Sequence, residues 1–281
     1  MKTSFTSIFK GSREQIYNRW FRFINFIPKR VRIVVCVLMM LALLLVSTFF
    51  PFVESWYIFI IVFFLGSYFT TYIAVFEGLD GVEWFTLFIM PVLLTLTLYL
   101  FFSLLPVRWL TRLPYLMIFG FSYYAILLTS NIFNIGVEKS LQLYRAAFSV
   151  NYLLQTCIIF LSILATFTFK QHFIVNALVI GIVSFLLSIQ LFWTVKPEHA
   201  FDRQLLRLGS GVAVLMFQLG IIISFLPLST TIAALLSTAC YYSLTGLVYH
   251  AQEEKLYKNV IREYSFVFFF VVLIVLLTLQ W

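Results

Sequence analysis

Most side chains that could perform chemistry in this sequence are amides and tyrosines within long apolar stretches. The residues that we select as candidate site residues are Gln155, Gln190, Gln218, Tyr123 and Tyr241. Inside a membrane, amide and hydroxyl groups often hydrogen-bond to a neighbouring helix, and we favour this interpretation. The alternative is a cavity, lined by these amides and tyrosines, that holds a neutral or zwitterionic small molecule.

Charged side chains are missing from the places where membrane catalysis or ion coupling would need them. No Asp, Glu, Lys or Arg lies in the middle of any long apolar stretch. Proton-coupled transport normally depends on such a residue. An intramembrane hydrolase would need paired acids, a Ser/His dyad or a metal cluster. We therefore predict no catalytic residue and no cofactor.

One group of residues has the types that bind metals. His250, Glu253 and Glu254 could share one face of a helix, but a further ligand would have to come from elsewhere in the chain. A juxtamembrane network of ion pairs is the better explanation. Glu254 and Lys258 also have the i, i+4 spacing of a solvated helical extension. We therefore predict no metal site.

The composition explains why polar groups are so few. Of the 281 residues, 62% are hydrophobic and only 11% are charged, whereas about 25% of residues in an ordinary soluble domain are charged. This balance excludes a soluble enzyme, a nucleic-acid-binding domain, a disordered chain and a disulfide-rich secreted protein. The three cysteines lie in separate apolar stretches without metal-binding spacing. The remaining class is a polytopic membrane protein.

Apolar stretches long enough to cross a membrane, which takes about 20 residues, recur along the chain. Proline, glycine and charged residues separate them. We predict an all-α fold: a polytopic membrane helix bundle of about nine transmembrane helices, in a single transmembrane domain over residues 31–281. The predicted spans are 31–50, 55–76, 84–105, 114–133, 148–168, 172–194, 208–226, 229–249 and 265–280.

Residues 1–30 form a basic segment in front of the first span. Within it, residues 12–27 place an aromatic-rich apolar face opposite arginines and amides. This pattern is typical of an amphipathic helix in the membrane interface. Packing of the helix on the cytoplasmic ends of its neighbours is an open alternative. The basic residues predict contact with anionic lipid rather than with nucleic acid.

The basic residues also predict the orientation of the chain. With the N-terminus inside, sixteen lysines and arginines fall on the cytoplasmic side, and Arg108, Arg112 and Lys170 fall outside. Because basic residues concentrate in cytoplasmic segments, we expect a cytoplasmic N-terminus and an outside C-terminus. The connection at 77–83 is placed inside although it carries only acids, which contribute little to this bias.

Recurring motifs suggest a tandem repeat of two four-helix units, over residues 31–148 and 149–264. The sequences SLLP at 103–106 and SFLP at 224–227 each precede a predicted helix that contains a Tyr-Tyr pair. Parallel repeats of this kind occur among transporters. Chance similarity between hydrophobic hairpins of equal length is the alternative interpretation.

Three short motifs give the sequence a family resemblance. They are Asn131-Ile-Phe-Asn134, LQLYRAA at 141–147, and Arg262-Glu-Tyr264 before the last apolar stretch. With these motifs the sequence resembles a group of uncharacterised multi-pass membrane proteins of candidate-phyla bacteria. The resemblance implies a bacterial cytoplasmic (inner) membrane, and it brings no known activity and no functional residues.

Two functions from different classes agree with these observations. The first is a non-catalytic membrane subunit or scaffold that binds another membrane protein. The second is a carrier or lipid-handling protein for a neutral or zwitterionic small molecule, with the amides and tyrosines lining its cavity. A membrane enzyme ranks third, because no set of residues in the sequence has complementary chemistry.

Overall fold

The computed structural model describes most of the chain in ranges separated by short gaps. The described residues are 28–76, 79, 81–106, 108–135, 142–195, 197 and 202–278. Within these ranges the chain forms α-helices joined by turns, without any strand. The all-α prediction is therefore confirmed. The amphipathic helix predicted over 12–27 lies outside the described residues.

Nine helices follow one another in the described ranges, and each is long and apolar enough to cross a membrane. They are α1 (Lys29–Ser47), α2 (Phe52–Val75), α3 (Glu83–Phe102), α4 (Trp109–Asn134), α5 (Gln142–Thr168), α6 (Phe173–Trp193), α7 (Arg203–Ser224), α8 (Thr230–Gln252) and α9 (Lys258–Thr278). Each predicted span falls on one of them, so the predicted number of membrane-length helices is confirmed.

Successive helices run in alternating directions and so define two ends of the bundle. We call the end at which α1 begins the proximal end, and the end at which it finishes the distal end. The distal end also holds the start of α2 and the finish of α5, where the rings of Phe52 and Phe169 stack with centroids 6.1 Å apart. The connections at this end therefore lie close together.

The start of α4 differs from its prediction, which placed the first residue of the span at Pro114. The helix begins earlier, at Trp109. Thr111 stabilises this start, because its Oγ1 lies 2.6 Å from the backbone oxygen of Pro106 and 2.8 Å from that of Arg108. Pro114 is the sixth residue of this helix, so its missing N–H removes one intrahelical hydrogen bond, yet the helix continues through it.

The core lies where α3, α4, α5 and α6 pack against one another. Helices α1 and α2 cover one side of this group, and α7 and α8 cover the other, while α9 packs mainly on α8. One continuous cluster of buried side chains includes Phe63, Phe119, Ile159, Leu187 and Trp193. The outer faces of the helices also expose many large apolar side chains, as expected of helices that face lipid rather than water.

Helices α6 and α7 form the closest pair, because glycines lie at their interface. A Cβ atom added at Gly220 would lie 3.1 Å from Cα of Ala177. A Cβ atom added at Gly209 would lie 2.9 Å from Cγ1 of Ile189. Small residues allow membrane helices to approach in this way, and one face of α7 is therefore fixed against α6.

Candidate functional site

Three buried amides lie at the interface of α5 and α6. Asn151 Nδ2 donates a hydrogen bond to Gln190 Oε1 at 3.1 Å, and Gln190 Nε2 donates to Asn151 Oδ1 at 3.4 Å. One turn further along α5, Gln155 Nε2 donates to the backbone oxygen of Leu187. Gln155 and Gln190 therefore link two helices, which favours the interhelical interpretation of their amides.

Three buried polar groups on neighbouring helices have no hydrogen-bond partner among the described residues. They are Gln155 Oε1 on α5, Ser184 Oγ on α6 and the Tyr241 hydroxyl on α8. The Tyr152 hydroxyl donates to the backbone oxygen of Tyr242 at 2.7 Å and so links α5 to α8 next to Tyr241. Internal water commonly satisfies buried polar groups of this kind, so each of the three atoms is a candidate for a hydrogen bond to bound water.

Tyr123 joins two other helices. Its hydroxyl lies 2.6 Å from Thr70 Oγ1, which connects α4 to α2. Its ring stacks on the ring of Phe119, with centroids 5.6 Å apart. Tyr123 and Tyr241 are both fully buried, but the structure places them in different helix contacts rather than together.

Gln218 lies apart from the other candidate residues, on the exposed side of α7. Its amide forms no hydrogen bond with any residue that the structure describes. Gly211, two turns earlier, is equally open, because nothing lies within 4 Å of a Cβ atom added there. Helical periodicity places these residues with Val214 and Ile222, both exposed, on one surface. We call Gly211, Val214, Gln218 and Ile222 the α7 outer face.

A cavity of about 370 Å3 opens where α7, α8 and α9 meet. Four leucines, Met216 and Phe268 form most of its wall, and Ser243 and Tyr264 are among its few polar residues. Gln155, Gln190 and Gln218 do not line it. We call it the lateral cavity. Its apolar wall suits an acyl chain better than a zwitterionic molecule.

A second cavity, of about 320 Å3, lies at the distal end, and Arg112 is its charged lining residue. From the sequence, Arg112 is expected only on the outside of the membrane and is not a candidate site residue. Arg108 and Arg112 both precede a long apolar stretch, yet Arg108 is exposed and Arg112 is buried. Nothing in the local sequence distinguishes the two.

Glu253, directly after α8, forms an ion pair and a hydrogen bond. Glu253 accepts a hydrogen bond from the Tyr249 hydroxyl at 3.0 Å, and its carboxylate lies 3.2 Å from Lys255 Nζ. In the part of the chain that the structure describes, no group of three or more His, Cys, Asp or Glu side chains could bind a metal.

The predicted helical extension that would join Glu254 to Lys258 is wrong. Helix α8 ends at Gln252, and the chain turns at Glu254, where φ is 58°. Helix α9 then begins at Lys258. Positive φ interrupts a right-handed helix. Glu254 and Lys258 therefore do not share a helix, and their i, i+4 spacing does not bring their side chains together on one helix face.

Residues 50–278 match the family described as "Protein of unknown function (DUF5656)". The chain belongs to this family. The DUF5656 match covers α2 to α9, and with them the α7 outer face, the lateral cavity and all candidate residues of the sequence analysis. Comparison with curated proteins and with solved structures gives no match.

Proposed function

We propose that this DUF5656 protein is a non-catalytic membrane subunit or scaffold. In this proposal its α7 outer face packs against a transmembrane helix of another membrane protein. The observation that carries the proposal is the exposed, unpaired amide of Gln218 within a helix of membrane length. Gln218 lies six residues before the end of α7, about 9 Å along the helix axis.

An amide that faces lipid is unfavourable, because hydrocarbon offers it no hydrogen-bond partner. Moving an amide from water into an apolar medium without such a partner costs roughly 2–7 kcal/mol. A polar side chain on an adjacent membrane helix would supply the hydrogen bond. Gln218 therefore favours a second helix over lipid as the neighbour of this surface.

Gly211 supports the same proposal. The glycines Gly209 and Gly220 are already occupied by the contact with α6, whereas the surroundings of Gly211 are open. A glycine on the surface of a membrane helix lets another helix approach closely. The α7 outer face thus combines a site of close approach with a hydrogen-bonding group, which is the pattern of helix association in membranes.

The location that we propose is a bacterial cytoplasmic membrane, with the N-terminus inside and the C-terminus outside. The distribution of lysine and arginine supports the orientation, and the resemblance to multi-pass proteins of candidate-phyla bacteria supports the membrane. In this arrangement the basic segment 1–30 meets anionic lipid of the cytoplasmic leaflet.

Site-specific photo-crosslinking in the native cells tests the proposed contact. A photoreactive amino acid replaces Val214 on the α7 outer face, and Ile182 on α6 serves as the control. The two positions are both exposed, at 53% and 57%, and both lie near the middle of their helices. We expect Val214 to crosslink to one membrane protein and Ile182 to crosslink to lipid only.

The variant Gln218→Leu completes this experiment, because it removes the amide and keeps the apolar surface. We expect it to reduce the Val214 crosslink strongly. Crosslinking to lipid only, or an equal yield at both positions, would contradict the proposal. A crosslink between two copies of this chain would contradict a partner of different sequence and would indicate a homo-oligomer instead.

A lipid-handling role is the second candidate, and the lateral cavity supports it. Its wall is largely apolar and formed by three helices, so that an acyl chain could enter between them. Leu244→Trp would fill the cavity, and Leu153→Trp on the exposed side of α5 is the control. Native mass spectrometry should show loss of a retained lipid only in Leu244→Trp. Equal lipid retention in both variants would contradict this role.

A further inference from the structure

Arg112 is a buried cation in the cavity at the distal end, which we call the distal cavity. The residue is only 9% exposed. One guanidinium nitrogen, Nη2, donates to the backbone oxygen of Thr48 at 2.9 Å. The guanidinium carbon lies 4.7 Å from the ring centroid of Phe49 and 5.2 Å from that of Trp109. The end of α1 and the start of α4 therefore hold the side chain in place.

These contacts leave part of the guanidinium without a hydrogen-bond partner among the described residues. The group has five N–H donors, and Nε is buried without a hydrogen bond. No carboxylate of the described residues forms an ion pair with Arg112. Aromatic rings and one carbonyl oxygen compensate a buried positive charge only in part, so an anion is the missing partner.

The surroundings of Arg112 also favour an anion. Among the described residues of the distal end, Arg108 and Lys170 add positive charge, and Glu54 is the acid. Arg112 lies in the first turns of α4, where the helix dipole contributes a partial positive charge. The planar fork of a guanidinium binds phosphate oxygens through two parallel hydrogen bonds.

The rest of the cavity wall indicates which kind of phosphate it would bind. Half of the lining residues are aromatic, among them Phe50, Phe52, Tyr99 and Phe102. The polar ones beside Arg112 are Ser47, Thr48 and Ser103. A free phosphate ion would lose its hydration against these rings, whereas a lipid would place glycerol and acyl carbons against them. The cavity lies at the ends of apolar helices, which is the depth of lipid headgroups in a bilayer.

We propose that the distal cavity binds the phosphate of a membrane lipid, with Arg112 as the residue that recognises the phosphate and the aromatic wall in contact with the adjoining carbons. This site is separate from the α7 outer face and does not depend on the proposed subunit role.

Thermal unfolding of the purified full-length protein in detergent micelles tests the site. Three probes are added separately: dioleoyl phosphatidylglycerol, dioleoylglycerol and sodium phosphate. We expect only the phosphatidylglycerol to raise Tm, because it alone combines a phosphate with acyl chains. An equal rise with dioleoylglycerol would overturn phosphate recognition, and an equal rise with sodium phosphate would overturn the lipid as its source.

Variants of Arg108 and Arg112 test which arginine is responsible for the rise in Tm with phosphatidylglycerol. Arg112→Gln should raise the phosphatidylglycerol concentration for a half-maximal rise by about tenfold or more, since a charge-assisted hydrogen bond is lost. Arg108→Gln removes an exposed charge at the same end and should leave that concentration unchanged. Arg112→Lys keeps the charge but loses the fork, and should fall between wild type and Arg112→Gln. An unchanged concentration in Arg112→Lys, or equal effects of Arg108→Gln and Arg112→Gln, would overturn the assignment to Arg112.

Discussion

Asn151 and Gln190 form a closed pair of amides across the interface of α5 and α6, in which each side chain both donates and accepts. Both residues are almost completely buried. In a low-dielectric interior such a pair satisfies hydrogen-bonding groups that neither lipid nor apolar side chains could satisfy. The pair therefore acts as a specific link between two helices of the core.

Asn151→Ala should destabilise the protein, because the amide of Gln190 then stays buried without its partner. We expect a loss of about 1–3 kcal/mol in the free energy of unfolding. The double variant Asn151→Leu with Gln190→Leu should recover much of this loss, since both polar groups are removed. Denaturant unfolding in micelles measures both effects. A single variant as stable as wild type would contradict the link.

Tyr241→Phe and Tyr123→Phe should differ, although both tyrosines are fully buried. The Tyr123 hydroxyl is bonded to Thr70, so its removal should cost about 0.5–1.5 kcal/mol. The Tyr241 hydroxyl has no partner among the described residues, so its removal should be neutral or stabilising. The Tm of each variant, compared with that of the wild-type protein, measures the two effects. A loss for Tyr241→Phe as large as that for Tyr123→Phe would contradict this prediction and would indicate that bound water satisfies the Tyr241 hydroxyl.

Gly246→Ala should weaken the contact between α8 and α9. A Cβ atom at this position would overlap the ring of Tyr264, and overpacking of this kind costs about 1–3 kcal/mol. Gly211→Ala is the matched control, because nothing lies within 4 Å of its added Cβ, and it should be tolerated in the isolated protein. Thermal unfolding of both variants in micelles gives the comparison, and equal Tm values would contradict the packing described.

Cysteine accessibility should place the two ends of the bundle on opposite sides of the membrane. In a cysteine-free background, Lys255→Cys at the proximal end should react with an impermeant maleimide only from the cytoplasm. Arg108→Cys at the distal end should react only from outside, because lysine and arginine concentrate on the cytoplasmic side. Both positions are exposed in the structure. Labelling with the two sides exchanged would reverse the proposed orientation.

The number and approximate position of the helices could be predicted because apolar length alone determines them. The span predicted over 84–105, for example, corresponds to Glu83–Phe102. Local hydrogen bonds shift individual ends, as Thr111 does upstream of Pro114. The tandem repeat over 31–148 and 149–264 and the helix over 12–27 stay predictions.

The sequence could not decide which amides face inward, because helix rotation depends on neighbouring helices. Gln155 and Gln218 are the same residue type in similar apolar stretches, yet one is buried and the other exposed. On α7, glycines 209 and 220 pack against α6. Gln218 is two residues from Gly220, about 200° around the helix, and is therefore turned outward.

The sequence could not predict the burial of Arg112 either, because this burial depends on residues that are distant in the sequence. Thr48 and Phe49, at the finish of α1, provide the carbonyl oxygen and the aromatic ring that contact the guanidinium. Their proximity to α4 follows from the packing of α1 on α4. The positive-inside rule can assign a side of the membrane to an arginine but cannot reveal its contacts.

The glycine contacts between α6 and α7 bear on how the chain is inserted during biosynthesis. Two helices whose backbones touch can enter the bilayer as one hairpin, and the strongly apolar α6 then offsets the unfavourable transfer of the Gln218 amide. We expect α7 to insert less efficiently when α6 is deleted. Hairpin formation would thus precede any encounter between α7 and its neighbour in the mature assembly.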